Sequence, residues 1–301
     1  MSLLETIKSV MFMRIYSLFG RRFRLVAFAG IVLAMSAAGT DAADFGLVDA
    51  YQKKNLRALQ HYAAEYRNTP IEPYIFAARI NARDTAKGTL SASVAQGLVR
   101  FAGVPPVEKL RAGLLKEWAR SGDWKQFEAH AGRIPAWLSE SDTELKCALL
   151  VHATARQKPS AYSRTELFGQ MREFPPLCSD ALTGAFSTGQ IPEAMAYAKL
   201  AQLAAFSSRG GSLRLLHLIS SEWDGEKSRA ASAIVEILHA ARDDFDDGKK
   251  ELTARAGALT PETLRLATVH VGILGAKKLQ RGGHALIRSV DGYQLGLSGA
   301  A

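Results

Sequence analysis

The sequence lacks the short motifs that mark the commonest catalytic and nucleotide-binding sites. Its 301 residues contain no GxxxxGK[ST] phosphate-binding loop, no GxSxG nucleophile turn and no GxGxxG dinucleotide fingerprint. The seven histidines are dispersed, and none forms the HExxH or HxxxH spacing with which one helix presents two metal ligands. We therefore expect no catalytic residue, no resident metal and no cofactor in this chain.

A second absence bears on the fold class. No stretch of strict apolar–polar alternation, the signature of a half-buried strand, extends beyond a few residues. From Phe45 onwards, apolar residues instead recur at helical spacing in about a dozen segments joined by short loops. The sequence therefore predicts an all-α fold, arranged as an α-solenoid or superhelix of stacked antiparallel helix pairs.

The stretch 104–130 shows this helical pattern most clearly. Pro105 and Pro106 are typical of a first helical turn, and Gly122 before Asp123 is typical of a helix end followed by a new N-cap. Four apolar residues should face inward: Leu110, Leu114, Leu115 and Trp118. Five charged residues should face outward: Lys109, Arg111, Lys116, Glu117 and Arg120. Such a hairpin cannot bury its apolar face alone, so neighbouring hairpins should stack on it.

Other boundary signals divide the rest of the chain. One helical stripe runs over residues 45–66, residues 141–144 are typical of a capping box, and residues 260–262 (TPE) of a helix start. SSRGGS at 207–212 is the most loop-like stretch and predicts a joint between subdomains. The glycine pair at 282–283 should interrupt a helix.

The N-terminus carries the pattern of an export signal. Three arginines within residues 21–24 precede an apolar run over 25–39, which small residues close. We therefore predict that residues 1–42 are a signal peptide, with Met13 as a possible start, and that the protein is periplasmic. The run is too short for a comfortable membrane span, so we expect no stable membrane anchor after cleavage, an uncleaved anchor being the alternative.

Charge gives only a weak indication of the partner. The formal net charge is +9, and the predicted signal peptide accounts for +3 of it, because it holds five Lys and Arg against two Asp and Glu. The remaining +6 would favour an anionic partner such as a cell-wall polymer, lipid headgroups or nucleic acid. Scattered surface charge without a special partner is the alternative, because no dense basic run lies beyond the N-terminus. Of these partners we predict a cell-wall polymer and no nucleic acid.

The chain has only two cysteines, Cys147 and Cys178. In an oxidising compartment such a pair is typical of a disulfide, which would close a loop of about 30 residues and stabilise the fold by about 3 kcal/mol. Two separately buried thiols in a helical core are the alternative.

Two further patterns each allow two interpretations. DDFDDG at 243–248 resembles part of a calcium loop but lacks the Glu at the twelfth position, so acids at a helix end are the simpler interpretation. Four tryptophans could form a platform on which sugars stack, although aromatic residues at helical spacing more often belong to a core. They are Trp118, Trp124, Trp137 and Trp223.

Four segments carry a resemblance to a known family: PIEPYIFAARI at 70–80, VPPVEKLRAGLLKEWARSGDW at 104–124, Cys147 on its helix, and PLCSDALTGAFSTGQ at 176–190. They resemble the U-domain, the N-terminal superhelical region of periplasmic soluble lytic murein transglycosylases. The resemblance covers about residues 45–280. It implies a superhelical domain over 43–280, peptidoglycan (murein) as partner, and a Cys147–Cys178 bridge.

The family's catalytic residue has no counterpart here. Family members cleave cell-wall glycan with a single Glu, which lies in a Glu-Ser motif of a lysozyme-like C-terminal domain, before a Gly-Leu-Met-Gln segment. The only Glu-Ser pair here is Glu140-Ser141, and no Gly-Leu-Met-Gln follows it. We therefore expect the catalytic domain to be missing, the tail 281–301 to be atypical through truncation or a frameshift, and the chain alone to be inactive. The alternative function is an independent exported α-solenoid that binds a protein partner on its concave face.

Overall fold

The computed structural model describes residues 45–82 and 91–290. Within these ranges about three quarters of the residues are helical and none lies in a strand, which confirms the predicted all-α class. The α-helices are α1 Phe45–Gln52, α2 Leu56–Glu65, α3 Glu72–Ala82, α4 Ala92–Arg100, α5 Pro105–Ser121, α6 Trp124–Ala131, α7 Ala136–Ser141, α8 Thr143–Ala155, α9 Arg164–Gln170, α10 Pro176–Leu182, α11 Glu193–Phe206, α12 Arg209–Glu222, α13 Gly225–Asp243, α14 Phe245–Arg255, α15 Pro261–Lys277 and α16 Gly283–Arg288. The predicted signal peptide and residues 291–301 lie outside the described residues.

The described residues divide into two compact units, the first ending at Arg111 and the second beginning at Ala112. In the first, α1 packs on α2 and α2 on α3 around one apolar cluster. Its buried members are Leu47, Ala50, Leu59, Ile71, Ile75 and Ala78. The prediction of one helix over 45–66 is wrong, because Lys54 adopts a left-handed conformation (φ +51°) and the Asn55 side chain then accepts a hydrogen bond from the Ala58 amide to cap α2.

In the second unit most packing joins helices that are one or two apart in the chain. Helix α8 packs on α7 and α10, α10 packs on α12, and α13 packs on α11, α12, α14 and α15. Contacts between near neighbours are what stacked helix pairs require. Helix α11 also packs on α15, four helices further along. The solenoid arrangement therefore stays a prediction.

Several helix boundaries follow the local sequence chemistry. Gly122 ends α5 with φ +73°, and Asp123 caps α6 by accepting a hydrogen bond from the Gln126 amide at 3.2 Å. Thr260 caps α15 and Pro261 occupies its first turn, as predicted. The hairpin over 104–130 is therefore confirmed as two helices.

Two predicted boundaries differ. The N-cap of α8 is Asp142, whose carboxylate accepts from the Leu145 amide at 2.9 Å, whereas Ser141 donates to the Leu138 carbonyl within the preceding helix. SSRGGS is not a joint, because Ser208 caps α12 and both glycines lie in its first turn. Gly211 is buried, and a Cβ there would be 3.1 Å from the Ser208 hydroxyl oxygen and 3.5 Å from the backbone nitrogen of Phe174.

The glycine pair at 282–283 begins a helix rather than only interrupting one. Gly282 takes φ +99° as the N-cap of α16. Gly283 lies directly on α15, and a Cβ there would be 2.5 Å from the backbone nitrogen of Ala276. Helix α16 therefore packs closely against α15 because position 283 has no side chain.

Candidate functional site

The cysteines form the cross-link expected from the sequence. Cys147 on α8 and Cys178 on α10 are disulfide-bonded, with Cα atoms 5.0 Å apart. Both side chains are fully buried where the two helices pack. The predicted pairing is therefore confirmed in the structure, and the alternative of two separate thiols is wrong.

The turn that follows α10 is held by one distant carboxylate. Glu222, at the end of α12, accepts backbone hydrogen bonds from Gly184 at 2.7 Å, Phe186 at 3.0 Å and Ser187 at 3.1 Å. These donors would otherwise lack partners in a chain segment without regular structure. The disulfide and Glu222 thus fix segment 176–190 from two sides. Glu222 was not predicted, because no local pattern relates it to a turn more than 30 residues earlier.

A buried ion pair in the first unit was also missed. Arg111 is fully buried, although the amphipathic pattern predicts it on the outer face of α5. Its Nε donates to Glu108 Oε2 at 2.9 Å, and a terminal nitrogen donates to the Leu98 carbonyl at 2.6 Å. Glu108 Oε1 in turn accepts from the Gly103 amide at 2.8 Å. The pair joins the end of α4 to the start of α5, so it is architectural.

Several cations of the second unit are engaged with backbone carbonyls at helix ends. Lys199 donates to Gly169 and Met171, Arg242 to Ser207, and Lys278 to Arg242 and Asp243, all at helix C-terminal ends. Arg214 donates to Phe174 in the loop before α10. Helix C-termini carry partial negative charge and unpaired carbonyls, which cations stabilise. Burial lowers the pKa of the Lys199 ammonium. Part of the positive charge therefore stabilises the fold through hydrogen bonds to backbone carbonyls.

The structure does not bring the tryptophans together as one platform. Trp118 is buried and stacks on His130, Trp124 contacts Phe127 and His152, and Trp223 contacts Phe186 and Tyr197. Only Trp137, with 44% of its surface exposed, is an exposed tryptophan among the described residues. The core interpretation therefore fits three of the four.

The described carboxylates include one cluster that invites a catalytic interpretation. Glu128 Oε1 lies 3.0 Å from His152 Nε2 and 3.0 Å from Arg156 Nε. The hydrogen bond from His152, with Arg156 nearby, lowers the pKa of Glu128. A general acid for glycoside cleavage needs a raised pKa, so this carboxylate is tuned in the wrong direction. Glu140 of the Glu-Ser pair lies exposed at the end of α7.

One serine and one histidine are placed like a nucleophile and its base. Ser212 Oγ lies 2.9 Å from His239 Nε2 and also donates to the Arg209 carbonyl at 2.9 Å. Ser212 is fully buried, so no substrate can reach its hydroxyl. Burial, with Arg209 and Arg242 nearby, lowers the pKa of His239. The pair joins α12 to α13 and is structural.

The acidic cluster at 243–248 forms a helix start. Asp244 caps α14 by accepting from the amides of Asp246 and Asp247, and these hydrogen bonds lower its pKa. Asp246 and Asp247 pair with Lys249 and Lys250. Over the described ranges, no group of three or more His, Cys, Asp and Glu is positioned to hold a metal ion.

An open hollow of about 370 Å³ lies between α15 and the end of α16, lined by Leu264, Arg265, Thr268, Ser289 and Val290. Among the helices that the structure describes, none combines the length and apolarity required to cross a membrane.

Comparison with known proteins adds no relative, because no family model, no curated protein and no solved structure matches the chain.

Proposed function

We propose that this protein is a superhelical, peptidoglycan-associated and non-catalytic region of the kind found in periplasmic soluble lytic murein transglycosylases. The proposal begins with the resemblance of segments 70–80, 104–124 and 176–190 to the U-domain of that family. All three segments have architectural roles here: a proline-rich helix start, a helix hairpin, and a short helix with a clamped turn.

The Cys147–Cys178 disulfide is the observation that supports the proposal most. Disulfides persist in exported proteins and are rare in the cytosol, so the bond agrees with a signal peptide over residues 1–42 and a periplasmic location. It also joins Cys147, which is itself part of the resemblance, to segment 176–190, in the pairing that the resemblance implies.

The proposed function includes a superhelical stacking of the helix pairs. Packing between α8 and α10, α10 and α12, α11 and α13, and α13 and α15 is what a stack of helix pairs produces. We propose that this stack is the scaffold that presents a glycan-binding face. Small-angle X-ray scattering of the purified protein tests the superhelical arrangement, since a superhelix has a larger radius of gyration than a globular protein of equal mass.

Binding to purified sacculi tests the proposed partner. We expect the protein to sediment with sacculi and to be released progressively by salt, because screening weakens the attraction between a basic surface and the carboxylates of the wall. A matched control is a basic protein of similar size and net charge that has no cell-wall role. Retention no greater than that of the control would contradict the proposal.

A second candidate is an exported scaffold that binds protein rather than glycan. It is favoured by the tryptophans, because three of the four contribute to aromatic clusters and leave few exposed rings for stacking on sugars. The sacculus-binding experiment distinguishes the two functions. Failure to sediment with sacculi, together with purification from the periplasm in a stoichiometric complex with another protein, would support the scaffold function.

We also propose that the chain alone does not cleave murein. Glycan cleavage in the family depends on a Glu-Ser motif followed by Gly-Leu-Met-Gln, which this sequence does not contain, and the pKa of the best-placed carboxylate, Glu128, is lowered rather than raised. Incubation with peptidoglycan followed by mass spectrometry should yield no anhydro-muropeptides. Their appearance would contradict the non-catalytic role.

A further inference from the structure

The turn between α15 and α16 presents an apolar side chain where none is structurally required. Leu279 is 92% exposed and adopts a left-handed conformation with φ +56°. It occupies the position after a helix end that glycine normally takes, with the Gln280 amide donating to the Gly275 carbonyl at 2.9 Å. A leucine there is strained and buries nothing, so the fold does not explain it.

A second exposed apolar group lies beside this turn. Phe206, the last residue of α11, is 42% exposed, and the Lys277 ammonium lies 4.4 Å from its ring centroid. The ring and Leu279 therefore lie at the same end of the helix bundle. We call Phe206 and residues 277–282 the α15–α16 turn surface.

The charge around this surface has one sign along the chain. Residues 263–290 contain five Lys and Arg and no Asp or Glu. They are Arg265, Lys277, Lys278, Arg281 and Arg288, and all five are exposed. The acids of the nearby helix ends are already engaged, since Asp243 pairs with Arg209 and Asp244 caps α14.

We propose that the α15–α16 turn surface docks on the headgroup region of an anionic phospholipid bilayer. The cations attract anionic headgroups, and Leu279 and Phe206 enter the boundary between headgroups and acyl chains. This partner fits better than a glycan, because sugars stack on open aromatic faces, whereas a lone aliphatic tip gains mainly from hydrocarbon. The inference is independent of the murein association proposed above and adds a second surface that the protein binds.

Flotation with vesicles tests the proposal. The protein is purified after export, its N-terminus is determined, and all variants are compared in that form, because residues 25–39 would bind vesicles on their own. The vesicles are equal parts phosphatidylglycerol and phosphatidylcholine, with pure phosphatidylcholine as comparison. Leu279→Gly removes the apolar tip and relieves the left-handed strain, so it should fold at least as well as the wild type. Val99→Ser, at a half-exposed valine in the first unit, is its matched control.

We expect Leu279→Gly to lower the partition coefficient about tenfold. Lys277→Gln with Arg281→Gln should lower it about thirtyfold, since each cation near an anionic surface contributes about a fivefold factor. The exposed pair Lys125→Gln with Arg133→Gln should have a much smaller effect, as should Val99→Ser. Equal partitioning of the wild type into neutral and anionic vesicles would overturn the proposal, as would unchanged binding of Leu279→Gly. The proposal would also be overturned if these variants lost binding to sacculi but kept binding to vesicles, because the surface would then bind glycan rather than lipid.

Discussion

Removal of the Cys147–Cys178 disulfide should destabilise the second unit by an amount that the structure sets. The bond closes a loop across 31 positions, and the chain-entropy relation assigns about 3–4 kcal/mol to a loop of that length. For a unit of about 150–250 residues, each kcal/mol lowers the melting temperature by about 2–4 °C, so the expected loss is about 10 °C. Both side chains are fully buried, so replacement by alanine avoids burying a new hydroxyl.

The assay compares Cys147→Ala, Cys178→Ala and the double variant by circular dichroism under oxidising conditions. Each single variant should melt about 10 °C below the wild type, and the double variant should melt with them, because either change breaks the same bond. A reducing agent should lower the wild type to that temperature and leave the double variant unchanged. Thiol labelling of the unfolded, non-reduced wild type should find no free thiol. Two reactive thiols would refute the reasoning.

Three further predictions concern packing and charge. Arg111→Met should cost about 3–5 kcal/mol in urea unfolding, because it leaves a carboxylate buried without its cation, whereas the exposed Arg120→Met should cost under about 1 kcal/mol. Gly248→Ala should lower the free energy of unfolding by about 1–3 kcal/mol, since the new methyl group would lie 2.3 Å from a side-chain carbon of α13. Gly113→Ala, where nothing lies within 4 Å of the new methyl group, should raise that free energy by about 0.5–1 kcal/mol. Because the pKa of His239 is lowered in the folded protein, protonation of this histidine destabilises the fold as pH falls below the ordinary pKa of histidine. His239→Gln should therefore flatten the decline in the free energy of unfolding between pH 7 and 5. An unchanged dependence of that free energy on pH would contradict this.

Local chemistry made much of the helix pattern predictable. Proline pairs, a glycine before an aspartate and a Thr-Pro-Glu start each act through the residues beside them, so the boundaries of α5, α6 and α15 agree with the sequence. The break between α1 and α2 was missed because Lys54 takes a conformation that a lysine rarely adopts. The glycines of SSRGGS suggested a joint, but at a helix start they only permit close packing.

The candidate site was less predictable, because its residues act across the chain. Hydrophobic periodicity assigns Arg111 to the solvent face, and only the carbonyl of Leu98 and the neighbouring carboxylate explain its burial. Glu222 and Lys199 likewise hold groups that lie about 30 to 40 residues away. The disulfide was predictable, since a chain with a predicted export signal and only two cysteines leaves one pairing.

The central claim, association with peptidoglycan, is tested most directly by competition. Protein bound to sacculi is challenged with soluble glycan strands from which the peptides have been removed, and release is followed by sedimentation. The account predicts saturable release at low salt, together with no release by an unrelated neutral polysaccharide. The claim would be contradicted if glycan strands did not release the protein and if a control protein of equal charge were retained on sacculi to the same extent.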